Sequence, residues 1–328
     1  SADNQAHSIE TISSFYGISA NKLRRYYRNK LSGFQQWSHR ENAQEGLIFP
    51  QNIGSSLSID ETSLSHGELY TVVTNKEAHG KKGTIVAILK GTKSDSIIPV
   101  LQQIPLRLRN KVREITLDLA GNMGIIAKKC FANAVQVIDR FHVQQLATEA
   151  LQEIRIKHRW EAIDEENIAI EDAKKRKETY CPEILSNGDT IKQMLARSRY
   201  LLYKSEHKWT VEQKERASLL FERYTEIQKA YKLCQELSWI YNTTVDKIYA
   251  FTRLAKWAEK VEQAGFKSFN TVSRTINTHH KKILNYFDNR STNASAESFN
   301  AKIKAFRSQF RGVRDINFFL FRLTKLFA

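Results

Sequence analysis

Residues 57–63 read "LSIDETS", a short apolar run that passes straight into two adjacent carboxylates, Asp60 and Glu61. The chain around it carries 51 Lys and Arg against 35 Asp and Glu, a net charge of +16, so paired acids at the end of a β-like run call for a reason. Two later runs end the same way, "VREITLD" (112–118) on Asp118 and "AVQVID" (134–139) on Asp139. All three are β-branched, short and bounded by turn-forming residues, as strands are.

Between these runs, "GELYTVVTN" (67–75) and "GTIVAILKG" (83–91) read as two further strands, each opened by Gly. "SDSIIPVLQQI" (94–104) reads as a helix despite Pro99, and "NMGIIAKKCFA" (122–132) as another. "RFHVQQLATEALQEIR" (140–155) starts a third. The order β-β-β-α-β-α-β predicts a mixed five-stranded α/β sheet whose first three strands pair as a meander.

On the N-terminal side, residues 8–31 read as a helix, a turn at Gly17 and a second helix with Ser19 as its N-cap. Ile9, Ile12 and Phe15 form an apolar stripe, and Arg24, Arg25, Arg28 and Lys30 follow on the second helix. This is the helix-turn-helix pattern, whose second helix can enter a major groove; a plain helical hairpin with a basic face has the same signature. On the other side, residues 151–288 have hardly any strand signal. Thr210 with Gln213 has capping-box spacing, and Gly265 is expected just past a helix end. Trp160, Trp209, Trp239 and Trp257 are read there as packing anchors. In "DNRSTNASAESFNAKIKAFRSQFRGVRD" (288–315), Phe299, Ile303, Phe306 and Phe310 recur at helical spacing and must face a core. Glu297 sits some 200° away from Phe299 at about 100° per residue, followed by Lys302, Lys304, Arg307 and Arg311.

A pI near 9.6 at this length points to a polyanionic partner, since many cations gain from counterion release on nucleic acid. Cys130, Cys181 and Cys234 lie far apart, which suggests neither a disulfide framework nor a zinc cluster; buried thiols in a reducing compartment are expected. No apolar run approaches the ~18–20 residues that span a bilayer, so a cytoplasmic protein without membrane contact is expected.

Three strands ending in acid can gather carboxylates at one sheet edge, and a helix carrying Glu297 could complete the group. Like charges that close need cations between them, and hard divalent ions with oxygen ligands serve. Two such ions can activate an attacking oxygen and stabilise a leaving one in phosphoryl transfer. Spacing alone leaves an even choice between this and acids that merely solvate strand ends or favour a helix start.

The motifs "SIDET", "ITLDLAGNM", "VIDRFHV" and "STNASAESFNAKIKAFR", in this order, resemble those of DDE transposases of bacterial insertion sequences, the ISL-three family. The resemblance covers roughly residues 55–150 and 285–325, with the helical stretch between similar to the insertion domain of related transposases. It implies an α/β RNase H-like core interrupted by a large all-α insertion and preceded by the helix-turn-helix. The expected divisions are 1–50, 51–150, 151–288 and 289–328. Carried over, the catalytic and metal-binding acids are Asp60, Asp118 and Glu297. Asp139, His142 and Glu61 would support them, with Arg140 and His142 as local partners for Asp139 and Glu61 on the opposite face of its strand. The implied cofactor is a pair of Mg²⁺ ions, for which Mn²⁺ can substitute. The implied partners are double-stranded DNA, both transposon ends and target, and further copies of the chain in a homodimer or higher oligomer. DNA contacts would come from Arg24, Arg25, Arg28, Lys30, Lys302, Lys304, Arg307 and Arg311. The implied reaction is metal-dependent strand cleavage and strand transfer without a covalent protein–DNA intermediate.

Such transposases often carry a zinc-binding segment before the helix-turn-helix, and no cysteine precedes Cys130 here. The expectation is a separate N-terminal polypeptide or a segment removed. Two rival readings accompany the transposase: an RNase H-like nuclease that cuts without joining, and a catalytically silent DNA-binding regulator.

Overall fold

The computed structural model describes residues 9–65, 67–119, 121–290, 294–309 and 315–328, with the side chains of residues 65, 294–297 and 309 outside that description. The chain forms two compact units, residues 1–139 with 290–328, and residues 140–289.

The first unit is built on a mixed six-stranded sheet. Its strands are β1 (Gly46–Ile48), β2 (Ser56–Ser65), β3 (Glu68–Asn75), β4 (Ile85–Lys90), β5 (Glu114–Leu117) and β6 (Val135–Ile138), in the spatial order β1-β4-β3-β2-β5-β6. β2, β3 and β4 pair antiparallel, while β5 and β6 join β2 in parallel. The expected count was five. β1 escapes notice because its three residues, "GLI", are too short to show alternation; only pairing with β4 makes them a strand.

A second correction concerns Asp60. β2 does not stop there but continues to Ser65, paired with β3. What ends near Asp60 is the pairing with β5, whose register closes at Ser58 and Thr116. Asp60 therefore sits inside a strand, at the point where one neighbour falls away.

Helices cover both faces of the sheet. α1 (Ile9–Phe15) and α2 (Ala20–Tyr26) precede it; α3 (Ser94–Leu101), α4 (Leu106–Arg109) and α5 (Gly121–Cys130) lie between its later strands. α3 tolerates Pro99, which removes one N–H donor from its second turn at most. Strand alternation sorts the side chains. Leu57, Ile59, Ile115 and Leu117 bury against Ile97, Met123 and Ile126 of α3 and α5.

The other face packs on helices from the C-terminal end of the chain. Leu64, Val72 and Ile88 meet Phe299, Ile303, Phe306, Phe319 and Leu323. The apolar stripe read at 299–306 is thus buried; Phe310 lies outside the described residues.

The N-terminal helices belong to this same unit. Ile9, Tyr27 and Phe34 share a small core with Phe318 and Phe321. Gly17 turns the chain at φ +63°, a left-handed conformation that costs glycine little. Ser19 occupies the N-cap of α2 without a side-chain cap bond, and the helix widens into a π-turn over Tyr27–Leu31. Phe15, read as part of the apolar stripe, is 81% exposed, because the core is reached from Ile9 and Tyr27 instead.

The second unit is helical. It comprises α6 (Arg140–Lys175), α7 (Ile191–Arg197), α8 (Val211–Arg223), α9 (Thr225–Thr243), α10 (Lys247–Ala264), α11 (Lys267–Thr278), α12 (His280–Leu284) and α13 (Tyr286–Asn289). The division from the sheet falls at 139/140 rather than after 150, because α6 runs unbroken from Arg140. The remaining helices, α14 (Ala294–Gln309) and α15 (Ile316–Phe327), return to the first unit and cover its sheet.

Thr210 and Gln213 form the capping box at the start of α8, and Gly265 ends α10 at φ +72°. Trp257 is fully buried and donates its indole N–H to Leu233 O at 2.9 Å, while Trp209 donates to Leu201 O at 2.8 Å. Trp160 and Trp239 do not pack as anchors; each is about half exposed or more. Cys130 and Cys234 are buried, but Cys181 is exposed. Among the described residues, no helix is long and apolar enough to cross a membrane.

Asp189 is a buried charge of the helical unit, 1% exposed. Burial by itself would raise its carboxyl pKa, but Arg216 at 2.7 Å and Arg197 outweigh that and hold it below the ordinary range. A depressed carboxylate stabilises the fold above its unfolded pKa and loses that contribution as pH falls through the folded value. Asp189→Asn is therefore expected to cost about 3 kcal/mol at neutral pH, because it strands two guanidiniums. Urea denaturation measures this, and the gap between the two proteins should close below pH ~4.

Candidate active site

Three aspartates converge because of strand register. β2 and β5 are in register at Ser58 and Thr116, and β5 and β6 at Thr116 and Val137. Two residues further on come Asp60, Asp118 and Asp139, which strand alternation directs to one face of the sheet. The ladder continues to this level, since the Asp139 N–H donates to Leu117 O at 3.0 Å. Neighbouring strands lie about 4.8 Å apart, so Asp118 is central and Asp60 and Asp139 are separated by about twice that distance. Asp60 and Asp118 are partly exposed; Asp139 is 1% exposed.

Both oxygens of Asp60 have donors. Oδ1 accepts from the Glu61 N–H at 2.8 Å, and Oδ2 accepts from Asn300 Nδ2 of α14 at 2.6 Å. Glu297 lies three residues before Asn300 on the same helix, a rise of about 4.5 Å. Its side chain is among those outside the description.

Glu61 follows Asp60, so alternation directs it to the face of Ile59. Its charge is nonetheless not isolated from the row. Burial raises its carboxyl pKa most, and the negative charges of Asp118 and then Asp60 raise it further. Among the described residues, no three His, Cys, Asp or Glu side chains come close enough to hold an ion by themselves.

Below the row, on the same face, Lys76 donates to Thr116 Oγ1 at 2.9 Å and to Glu114 Oε1 at 3.2 Å. Ser56 Oγ also reaches Glu114 Oε1, at 3.2 Å. Neither Lys76 nor Asn300 was singled out by the sequence. Asn300 had a usable signal, its i+3 spacing from Glu297. Lys76 had none, because it follows strand β3 and reaches β5 only across the sheet.

The residues expected to support Asp139 make contacts of their own. Arg140 donates to Asn242 Oδ1 at 2.9 Å and to Tyr286 OH at 3.5 Å, and lies 5.8 Å from the Tyr241 ring centroid. His142, on α6, stands edge-on to Phe141.

The basic residues divide into two groups. Arg24 pairs with Glu10 and bonds Asn21, and Arg28 pairs with Asp315 at 2.6 Å while lying over Phe34. Lys302 donates to Gly80 O at 2.8 Å and Arg307 to Ser63 O at 3.1 Å, which ties α14 to the sheet. Arg25, Lys30 and Lys304 are exposed, and Arg311 lies outside the described residues. Arg25 and Lys30 line an open groove of about 640 Å³ along α2 together with Lys22, Tyr26 and Asn29.

The raised pKa of Glu61 carries a testable sign. A carboxylate whose folded pKa exceeds its unfolded one makes the fold less stable where it is ionised, so stability rises as pH falls through the folded value. Glu61→Gln is expected to raise the unfolding midpoint of the metal-free protein at pH 7. The advantage should shrink on acidification towards the ordinary glutamate range, as followed by thermal melts at a series of pH values.

The sequence matches the DDE transposase family of the ISL-three type, described as Transposase, over residues 57–323. Among curated proteins there is no significant match. Among solved structures, the Drosophila P element transposase strand transfer complex aligns over 98% of this chain and 91% of that one, at 11% identity and a TM-score of 0.40. At that score the likeness carries no argument about this chain. The family match spans every strand from β2 to β6, the helical unit and most of the two closing helices, and the chain belongs to the ISL-three DDE transposase family.

Proposed function

We propose that this chain is a DNA transposase that cleaves a strand at transposon ends and joins the released 3′ end to target DNA, within an RNase H-like core. What carries this reading is the parallel register of β2 and β5, which closes at Ser58 and Thr116, two residues before Asp60 and Asp118. α14, which bears Glu297, approaches at the level of Asp60 through Asn300. The sheet order also agrees with an RNase H-like core, with the antiparallel meander followed by two parallel strands.

The donor set suits divalent cations. Carboxylate oxygens are hard ligands, and the Glu61 carboxyl, raised first by burial, is raised further by the negative charges of Asp118 and Asp60. Asp60, Asp118 and Glu297 would hold Mg²⁺, or Mn²⁺ in its place. When bound, such ions supply activation of the attacking oxygen and charge stabilisation of the leaving one. The remaining work falls to the chain. The Glu61 N–H and Asn300 fix the carboxylate plane of Asp60, and Asp118 stands beside it as the central member of the row. Asp139, almost fully buried, supports that row from its far side rather than facing substrate.

Asp60→Asn and Asp118→Asn should each abolish cleavage and joining while leaving DNA affinity nearly unchanged. Asp139→Asn should lower the rate only in part. Single-turnover cleavage and strand transfer on a labelled transposon end measure all three. An Asp139→Asn protein that is inactive beside an active Asp118→Asn protein would exchange the two roles, and cleavage without any joining would make the protein a nuclease.

In the same reading, the N-terminal helix pair is a helix-turn-helix that contacts double-stranded DNA through the groove along α2. Lys22, Arg25 and Lys30 are its exposed cations, whereas Arg24 and Arg28 have acidic partners. Replacing Lys22, Arg25 and Lys30 by Ala should weaken binding and flatten its log–log salt dependence by ~0.9 for each phosphate no longer neutralised. Filter binding across a salt series checks this; unchanged affinity and slope would remove the groove as a DNA surface.

A further inference from the structure

We propose that Asn300 is a positioning residue for the metal-binding carboxylate of Asp60, an inference that rests on the reading of Asp60 as a metal ligand. A carboxylate can only accept hydrogen bonds, so the amide must present its Nδ2 to Oδ2, at 2.6 Å. The other oxygen, Oδ1, is held by the Glu61 N–H at 2.8 Å. With one donor on each oxygen, rotation of the carboxylate about its last single bond is blocked. The carboxylate plane is thereby fixed. Ligating carboxylates are commonly held in this way by a surrounding layer of hydrogen bonds.

Asn300 suits this task because its own position is fixed. Phe299 and Ile303, on either side of it in α14, are fully buried against the sheet. Further along the helix, Arg307 is bonded to Ser63 O, and Lys302 to Gly80 O. The amide is also neutral. It orders Asp60 without cancelling the negative charge that a cation requires, as Lys or Arg would, and without adding repulsion, as Asp would. Asn300 shares its helix with Glu297, so the same bond helps set the height of α14 against β2.

The test is calorimetric titration of the full chain with Mn²⁺, using Asn300→Ala, the shape-preserving Asn300→Leu, and Asn300→Gln. Ala and Leu are expected to weaken Mn²⁺ binding ~10–100-fold, as loss of such supporting bonds does elsewhere. Gln, which keeps the donor on a longer arm, should lose less. The Mn²⁺ concentration that half-saturates strand cleavage should rise in the same order, while circular dichroism shows the fold retained. Mn²⁺ affinity equal to that of the unaltered chain in folded Ala or Leu variants overturns the proposal. Asp60→Asn is measured beside them. If it too binds Mn²⁺ undiminished, the reading of Asp60 fails; if only Asp60→Asn loses affinity, Asp60 stands and the role of Asn300 falls.

Discussion

The first unit depends on one constraint, the parallel register of β2, β5 and β6 combined with the two-residue alternation of a strand. Leu57, Ile59, Ile115 and Leu117 must bury against α3 and α5, which obliges the residues between them to face the other way. Asp60 and Asp118 then have no choice of face, and the register sets them level. Two charges about 5 Å apart at an effective dielectric of 20 repel by on the order of 3 kcal/mol. The apolar face opposite keeps the strands together against that repulsion, while the Glu61 carboxyl pKa is raised first by burial and then by the charges of Asp118 and Asp60. A one-residue slip would put the carboxylates into the hydrophobic layer, so packing and site are specified by the same pattern.

The C-terminal helices close the unit in two ways. α14 buries Phe299, Ile303 and Phe306 on the face that carries Asp60, and through Asn300 it reaches that carboxylate. α15 does the same for the other end of the chain. Phe318 and Phe321 pack on Tyr27 and Phe34, and Asp315 pairs with Arg28. The N-terminal helix pair is thus joined to the body of the unit by residues almost three hundred positions later. That arrangement accounts for the unequal fates of the basic residues on α2. Arg24 pairs with Glu10 and Arg28 with Asp315, whereas Lys22, Arg25 and Lys30 line the open groove.

The helical unit is built, among its described residues, from helices packed on one another. Its centre is apolar, with Trp257 fully buried, and Asp189 bonded by Arg197 and Arg216 is a charge it buries. Trp160 and Trp239 stay at its surface, the latter beneath the guanidinium of Arg253, 4.6 Å from the ring centroid. Helical spacing marks an aromatic as part of a stripe but does not say which stripe meets a neighbour, and these two belong to outward faces.

Local pattern by itself determined a good deal. The five longer strands, the helix at 299–306, the capping box at Thr210 and the helix end at Gly265 all come from signals spanning a few residues, where side-chain period and capping chemistry act. So does the suspicion attached to Asp60, Asp118 and Asp139, because strand ends and carboxylates are both visible locally. Other features needed the folded chain. The three residues of β1 become a strand only by pairing with β4, and Asp60 lies within β2 because β3 continues beside it. The central place of Asp118 follows from strand order, which no single strand encodes. The bond from Asn300 to Asp60, and the ties that occupy Arg24, Arg28, Lys302 and Arg307, join residues brought together by packing. Hydrophobic periodicity is written along the chain, whereas register, strand order and the partners of a charge are decided by which surfaces close on one another.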